Sequence, residues 1–235
     1  MRLSVVIPTL NEEEQIAGAI QSIGQGSEII VVDGGSRDAT RDIASSLGAR
    51  VKLSKRGRGL QMDAGALKAS GEVLLFLHAD TRLPKGWLGI VESALSDEGV
   101  VGGAFSLKID SQRYIFRIIE RMANIRSRFL GFIYGDQAIF VRREAFFESG
   151  CFKSLPLMED IECVKSLRAI GKVVILDEPV LTSYRRWEGK PVIVTTFRNW
   201  IILVQYLLGV SPERLYLRYY KKQASGEHDD IQEYR

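Results

Sequence analysis

Residues 3–33 read LSVVIPTLNEEEQIAGAIQSIGQGSEIIVVD, and this stretch decides the fold. Its first and last apolar runs, residues 3–7 and 28–32, lack the alternation of a half-exposed strand, which indicates strands buried on both faces of a parallel sheet. Between them, Asn11 and Glu14 have the spacing of a capping box, and apolar residues recur on one helical face. The stretch therefore predicts a strand, a helix over residues 11–23 and a parallel strand joined by a right-handed crossover.

The same alternation continues along the chain. We predict further buried strands at residues 73–77 and 173–176, with helices at residues 37–47 and 60–69. Less regular elements follow: strands at residues 100–109 and 138–141, helices at 114–130 and 159–169, and C-terminal helices at 192–208 and from Pro212 onward. This order predicts an α/β fold in which helices flank a mostly parallel central sheet, with a helical extension at the C-terminal end. We assign residues 1–190 to the main domain, 191–222 to apolar and basic helices, and 223–235 to a polar tail.

The composition is that of an ordinary globular protein. Of the 235 residues, 46% are hydrophobic and 26% are charged, which excludes disordered, collagen-like and disulfide-rich classes. The net charge of +3 is too small to indicate nucleic-acid binding. Cys151 and Cys163 have no CxxC spacing and are expected to be free thiols in a reducing compartment. Because we find neither a signal peptide nor a membrane span, we expect a cytoplasmic protein.

Two acidic residues lie near the carboxyl ends of predicted strands. Asp33 directly follows residues 28–32 and precedes two glycines, and Asp80 belongs to the sequence HADT after residues 73–77. In an open parallel sheet, ligands bind beyond the carboxyl ends of the strands, so both acids should lie at one rim. Considered alone, Asp33 could be a turn residue before the glycines, and Asp80 could be a helix N-cap or the first residue of an Asx-turn.

The segment Arg56-Gly57-Arg58-Gly59 precedes a predicted helix. Glycines allow close approach to a ligand, and a helix N-terminus flanked by arginines favours anions. The chain has no GxxxxGK[ST] and no GxGxxG after its first strand, which argues against a P-loop nucleoside triphosphatase and a dinucleotide-dependent dehydrogenase.

The ordered segments VVIPTLNEE, VVDGGSRDAT, GRGLQMDAG, LHADT and MEDIE together resemble the inverting, nucleotide-sugar-dependent glycosyltransferases of family 2. The resemblance covers residues 3–187 and implies the Rossmann-like GT-A fold. The strings LHADTRLP and YGDQAIFVRRE are most similar to a branch of small, stand-alone bacterial members with a variant D-x-D motif.

The resemblance implies a role for each matching residue on the nucleotide side. Pro8, Thr9 and Glu12 match positions that line the base and ribose, Asp33 matches the acid that hydrogen-bonds the base, and Arg58 lies near the diphosphate. Asp80 matches the last acid of the D-x-D element, which binds the metal. His78 replaces the first acid, so it is expected to contact the ribose or the metal; a satisfied, half-buried histidine is the alternative.

On the acceptor side, the resemblance makes Asp160 the general base, with Glu159 beside it. The alternative for this pair is a favourable interaction with the helix dipole. Asp136 and Gln137 are also expected near the acceptor, or else in a buried polar turn. Arg185 or Arg186 would bind the diphosphate, and Trp187 would stack on a sugar. The alternative interpretation is that the three are an aromatic residue and two surface arginines at the edge of the domain.

These features predict a metal-dependent, inverting, hexosyltransferase-like enzyme that uses Mn²⁺ or Mg²⁺ and a nucleoside diphosphate sugar. A nucleotidyltransferase and a non-catalytic sugar-nucleotide binding protein are the alternatives. The donor nucleotide (UDP or GDP), the sugar and the hydroxyl acceptor stay open.

Two regions contain both basic and apolar residues, and they leave open whether the protein binds a membrane surface. Arg113, Arg117 and Arg121 recur every four residues along the predicted helix 114–130, and residues 181–222 carry eight basic residues against two acidic ones. Such helices would bind the inner face of an anionic membrane or a lipid-linked phosphate acceptor. The alternative is packing against protein, including a homodimer.

Overall fold

The computed structural model describes residues 1–189 and 191–221, without the side chains of the last two. Its strands are β1 (Leu3–Thr9), β2 (Glu28–Asp33), β3 (Arg50–Leu53), β4 (Val73–Phe76), β5 (Thr81–Arg82), β6 (Val100–Ile109), β7 (Ile139–Arg142) and β8 (Lys172–Thr182). Its α-helices are α1 (Ile16–Ile23), α2 (Thr40–Ser46), α3 (Arg58–Lys68), α4 (Trp87–Ala94), α5 (Tyr114–Ile125), α6 (Arg143–Glu148), α7 (Glu159–Ile170), α8 (Val192–Leu207) and α9 (Pro212–Lys221). A π-helical turn, Arg126–Leu130, and two 3₁₀ turns, Gly135–Gln137 and Arg185–Trp187, complete the described elements.

The strands form a sheet of order β3-β2-β1-β4-β7-β6-β8-β5 within the described residues. Strands β3, β2, β1 and β4 pair in parallel, as do β6 and β8, whereas β7 runs antiparallel to both of its neighbours and β5 runs antiparallel to β8. All strands except β5 and β7 therefore point the same way. The predicted α/β fold with a mostly parallel sheet is confirmed.

Apolar residues fill both sides of the sheet. Alternate residues of the central strands enter one core with α1 and α4 (Val5, Ile7, Val31 and Leu75) and a second core with α3 and α6 (Val6, Ile30, Val32, Leu74 and Phe76). Burial on both faces explains why these strands show no polar alternation in the sequence.

The predicted capping box at Asn11 and Glu14 is wrong. Helix α1 begins at Ile16, and Asn11 has a φ of +53°. The Asn11 side chain instead accepts a hydrogen bond from the Arg37 N–H at 2.9 Å, and the Asn11 N–H donates to the Ser36 hydroxyl at 2.8 Å. A bond to a neighbouring loop has replaced the local cap, so the segment before α1 is fixed to the loop that follows β2.

The helix predicted at residues 114–130 is an α-helix for most of its length and a π-helical turn at its C-terminal end. The α-helix stops at Ile125 and continues as the π turn, which ends at Gly131 with a φ of +75°. Of the arginines expected to share one face of this helix, Arg117 is held against the protein. Its guanidinium donates to the carbonyls of Ile109 and Ser111, each at 2.8 Å, and pairs with Glu120 at 2.9 Å.

The described chain divides into two compact units, one of residues 1–154 with 159–186 and one of residues 155–158 with the chain from Trp187 onward. In the second unit, the Trp187 indole donates to the Thr196 hydroxyl at 3.4 Å, and Arg198 lies over the ring of Tyr219 at 4.7 Å. The boundary at residue 190 stays a prediction, and the tail of residues 223–235 lies outside the described residues. Among residues 1–189 and 191–221, no helix has the length and apolarity that a membrane span requires.

Candidate active site

The ends of β1 and β2 lie side by side, with Thr9 opposite Asp33. The Asp33 carboxylate is fully buried and accepts hydrogen bonds from the N–H groups of Gly35 (3.0 Å) and Ser36 (2.8 Å). It also accepts from the hydroxyls of Thr9 (3.2 Å) and Ser36. These bonds organise the loop after β2, so contact between Asp33 and a base requires one of them to be exchanged. The base-binding role of Asp33 stays a prediction, as do those of Thr9 and the half-buried Pro8.

Gln61 is a buried residue of this rim that the sequence analysis did not identify. From α3, its amide donates to the carbonyls of Thr9 (2.9 Å) and Val32 (2.8 Å), which join the ends of β1 and β2. Helix α3 lies very close to the sheet, since a Cβ at Gly65 would stand 2.3 Å from Val6. A glutamine on the otherwise apolar buried face of α3 is the sequence signal that was missed.

Asp80 is half-buried in the turn that follows β4. The turn closes through a bond from the Thr81 N–H to the His78 carbonyl at 3.1 Å, and the Asp80 carbonyl accepts from the Ser183 N–H at 3.0 Å. Near it, the Glu12 carboxylate receives a hydrogen bond from Arg185 at 2.6 Å. Burial raises the pKa of Glu12 against the opposing effect of Arg185, and the charge of Asp80 adds to the increase. Glu12, Asp80 and Arg185 therefore share one charged cluster.

Asp80 could hold a metal ion, although the described part of the chain groups no three His, Cys, Asp or Glu side chains closely enough to form a protein cage. Among the described residues, its carboxylate receives one long hydrogen bond, from the Thr81 hydroxyl at 3.4 Å. The other lone pairs of its two oxygens are therefore available to a metal ion. Mg²⁺ and similar hard cations are commonly held by one or two carboxylates together with substrate phosphates. The donor set therefore fits a metal that is bound jointly with a diphosphate.

His78 is half-buried and lies beside the turn of residues 134–137. Burial, together with the positive charges of Arg58 and Arg186, lowers its pKa well below the ordinary value, so the ring is neutral. Its Nε2 atom is buried and has no hydrogen-bond partner among the described residues. The alternative, in which the ring atoms of His78 all have hydrogen-bond partners, therefore does not hold for Nε2 within the described residues.

Glu159 and Asp160 open helix α7, and both side chains are buried. Glu159 pairs with Arg58 at 3.5 Å. The Asp160 carboxylate accepts hydrogen bonds from the N–H groups of Gly135 and Ile161, each at 2.8 Å. Burial and the adjacent charge of Glu159 raise the pKa of Asp160 to about 7, against the opposing charge of Arg58. A carboxyl group with a pKa near neutrality can serve as an acid or base at physiological pH.

Strained backbone accompanies this cluster. Met158, directly before Glu159, has a φ of +69°, and Ala138, at the end of the 134–137 turn, has a φ of +49°. Non-glycine residues rarely adopt this region, and such strain concentrates at functional sites.

The two expected acceptor-side residues Asp136 and Gln137 differ in their surroundings. Gln137 is fully buried, and its amide donates to the Phe105 carbonyl (3.0 Å) and the Ser127 hydroxyl (3.2 Å), so it anchors the turn. The Oδ1 atom of Asp136 is buried without a hydrogen-bond partner in the described chain. Next to them, Arg126 stacks on the ring of Tyr134 at 3.7 Å. Burial raises the pKa of Tyr134 to about 12, with contributions from Asp160 and Asp136.

Within the larger unit, several of the expected residues lie near one another. The charges of Arg58 and Arg186 act on His78, and the charge of Arg58 acts on Asp160. The Trp187 ring, in contrast, is 9% exposed and is fixed to Thr196 within the C-terminal unit. The sugar-stacking role of Trp187 stays a prediction.

Known proteins share this fold. The mannosyltransferase PcManGT from Pyrobaculum calidifontis, solved with GDP-Man and Mn²⁺, superposes with a TM-score of 0.64 at 17% identity, covering 93% of this chain and 69% of that one. S. aureus TarS 1–349 with UDP-GlcNAc gives 0.62 at 17% identity, covering 96% and 73%. Glucosyl-3-phosphoglycerate synthase from Mycobacterium tuberculosis with Mn²⁺, UDP and phosphoglyceric acid gives 0.60 at 19% identity, covering 89% and 79%. These likenesses place the chain in the GT-A fold.

Sequence similarity is limited to part of the chain. An uncharacterized glycosyltransferase of Mycobacterium tuberculosis is 35% identical over 85 residues, which cover 36% of this chain and 39% of that protein. Glucosyl-3-phosphoglycerate synthase of the same organism is 34% identical over 116 residues, covering 42% and 35%. The matches thus span well under half the length of these relatives. The model of glycosyl transferase family 2 matches residues 4–155, about two thirds of the chain, and the chain therefore belongs to glycosyl transferase family 2.

Proposed function

We propose that this protein is a metal-dependent, inverting glycosyltransferase that moves a sugar from a nucleoside diphosphate sugar to an acceptor hydroxyl. The observation that carries the proposal is the buried Asp160 carboxylate, which is held by two backbone N–H groups and has a pKa near 7. Arg58 acts electrostatically on Asp160 and, together with Arg186, on His78, and the carboxylate of Asp80 follows the half-buried His78 by two residues.

In the proposed reaction, the acceptor hydroxyl attacks the anomeric carbon from the face opposite the diphosphate. Asp160 accepts the hydroxyl proton, while the bond between the anomeric carbon and the diphosphate oxygen breaks and its electron pair leaves with the diphosphate. Arg58 and Arg186 supply positive charge for the leaving group. A divalent cation held by Asp80 and the diphosphate would neutralise further charge there.

The alternatives predict other chemistry. A nucleotidyltransferase would release pyrophosphate from a nucleoside triphosphate, and Asp160 would then have no evident task. A protein that only binds sugar nucleotides would have no need of a carboxyl group with a pKa near 7. The solved neighbours that contain UDP, UDP-GlcNAc or GDP-Man support a nucleoside diphosphate sugar as donor. We leave the choice between UDP and GDP to experiment.

A thermal-shift screen tests the donor class. At a concentration 100 times its Kd, a ligand stabilises the native state by about 2.7 kcal/mol. For a chain of this size we expect UDP or GDP with Mn²⁺ to raise the Tm by about 5–10 °C, and chelation of the metal to remove most of the shift. Stabilisation by nucleoside triphosphates alone, with none by either diphosphate, would favour the nucleotidyltransferase.

We also propose that the protein associates peripherally with anionic membranes. Helix α8 exposes an apolar stripe made of Ile193, Val194, Phe197, Ile201, Val204 and Leu207. Helix α9, in the same unit, exposes Arg214 and Arg218. An apolar helical face with nearby basic residues can lie at a membrane surface, each Lys or Arg contributing about 1 kcal/mol. A lipid-linked acceptor would suit such a location, and a homodimer through this stripe is the competing account.

Sedimentation with anionic liposomes tests this location. The wild-type protein should sediment at low salt and be released at high salt, because screening weakens the attraction between charges. The double substitution Ile193→Ser with Phe197→Ser should stay in the supernatant. The control Leu67→Ser removes a residue that is similarly exposed, at 65%, but lies on α3, and should sediment like the wild type. Wild-type protein that stays wholly in the supernatant would mean that the stripe packs against protein.

A further inference from the structure

We propose that Gly135 is a positioning residue for the general base, and that it must be glycine because the ring of His78 occupies the space of a side chain. This inference rests on the proposed function, since it takes Asp160 as the base. It concerns the motif YGDQ, residues 134–137, in which the sequence analysis assigned no role to the glycine.

The turn that carries Gly135 is held rigidly. Backbone bonds close it from the Gln137 N–H to the Tyr134 carbonyl (3.0 Å) and from the Ala138 N–H to the Gly135 carbonyl (3.2 Å). The buried Gln137 side chain fastens the turn to the carbonyl of Phe105 in β6. The direction of the Gly135 N–H is therefore set by the sheet.

This N–H donates to Oδ2 of Asp160 at 2.8 Å. The other carboxylate oxygen, Oδ1, accepts from the N–H of Ile161, the next residue of the same helix. Because Ile161 and Asp160 are adjacent residues of α7, the bond between them lets the carboxylate move together with the N-terminal end of that helix. Within the described residues, the bond from Gly135 is the one that ties the carboxylate to another element, so it fixes the orientation in which the base meets the acceptor.

The absence of a side chain at position 135 follows from His78. A Cβ there would stand 2.6 Å from Nε2 and 3.1 Å from Cε1 of the His78 ring. The φ of Gly135 lies outside the left-handed region, so the restriction is steric and not conformational. The imidazole is a rigid ring whose Nε2 atom is buried, and it cannot yield as the end of a flexible chain would. A methyl group at 135 would therefore push the turn and its N–H away from Asp160.

One glycine thus couples the nucleotide side of the site to the acceptor side. His78 belongs to the same tight turn as Asp80, and Gly135 contacts that histidine on one side and Asp160 on the other. A small displacement of a catalytic group is enough to slow a reaction about 10²-fold.

The test compares Gly135→Ala in two backgrounds. The readout is the release of nucleoside diphosphate from UDP-glucose, UDP-GlcNAc or GDP-mannose with Mn²⁺, using the donor that the wild type turns over fastest. We expect Gly135→Ala to lower kcat about 10²-fold, while calorimetry shows an unchanged Kd for the nucleoside diphosphate. In a His78→Ala background, where the space is open, adding Gly135→Ala should change kcat by no more than about twofold.

The matched control is Gly89→Ala, because a Cβ at Gly89 of α4 meets nothing within 4 Å. It should keep the wild-type kcat and Tm. A Gly135→Ala variant with wild-type turnover, or an equal loss of kcat in both His78 backgrounds, would overturn the inference. If Gly135→Ala alone lowers the Tm sharply and His78→Ala restores it, the steric conflict is supported.

Asp160→Asn separates this inference from the proposed function. Wild-type turnover in Asp160→Asn would overturn both, because the base would then be another group. An inactive Asp160→Asn beside a fully active Gly135→Ala would overturn the role of Gly135 alone.

Discussion

Replacing Asp160 with asparagine is expected to abolish sugar transfer and to leave nucleotide binding intact. The carboxylate has to accept the proton of the acceptor hydroxyl as the new bond forms, and an amide of the same shape cannot do so. Removal of a general base typically costs about 10²–10⁴-fold in rate. Steady-state assays should show the loss in kcat, and calorimetry with the nucleoside diphosphate and Mn²⁺ should give the wild-type Kd.

The pH dependence of the wild type provides an independent check on the same residue. Burial and Glu159 raise the pKa of Asp160 to about 7, and only the ionised form can accept a proton. The rate should therefore increase with pH up to about 7 and level off above it, with about a tenfold loss per unit below. A rate that stays flat from pH 5 to pH 8, or full turnover in Asp160→Asn, would assign the proton transfer to another group.

The second large effect is expected at Asp80. Asp80→Asn keeps the size and the Thr81 contact of the side chain but removes the charge that a hard cation needs. Because the metal would be shared between this carboxylate and the substrate diphosphate, the nucleotide affinity measured with Mn²⁺ should fall to the level measured with a chelator. The melting temperature without ligand should change little, since the side chain is half-buried and receives one long hydrogen bond.

The control for this substitution is Asp42→Asn. Asp42 is an exposed acid in the first turn of α2, so the change in net charge is the same. It should bind the nucleotide with Mn²⁺ as the wild type does. If Asp80→Asn also keeps the full Mn²⁺-dependent affinity, the metal assignment at this residue is incorrect.

The elements that could be predicted from the sequence are those with strong local patterns. The apolar runs of β1, β2 and β4 could be recognised because both faces of these strands are buried, and β6 was predicted with the bounds that the structure has. The edge strand β3, Arg50–Leu53, was missed because its mostly exposed residues alternate between basic and apolar and form no apolar run. Strand β5 has two residues and exists through its pairing with β8, which no local pattern can indicate.

The site residues that could be predicted from the sequence are those whose position depends on the strand order of the sheet. Acids near the ends of parallel strands drew attention to Asp33 and Asp80, and the order β2-β1-β4 puts those strand ends on one side of the sheet. The sequence did not reveal that loop N–H groups and hydroxyls already occupy the Asp33 carboxylate. A polar residue on an apolar helix face was the one signal for Gln61, and the contacts of Gln61 and Gly135 could not be predicted because they join segments that are distant along the chain.

The most direct test of the central claim is proton NMR of donor cleavage, with UDP-glucose, UDP-GlcNAc and GDP-mannose each incubated with the protein and Mn²⁺. The account predicts release of the nucleoside diphosphate and a sugar product that first appears with the anomeric configuration opposite to that of the donor, and no reaction once the metal is chelated. A product that first appears with the donor's own configuration would contradict the inverting mechanism, and cleavage that is unaffected by chelation would contradict its dependence on a metal.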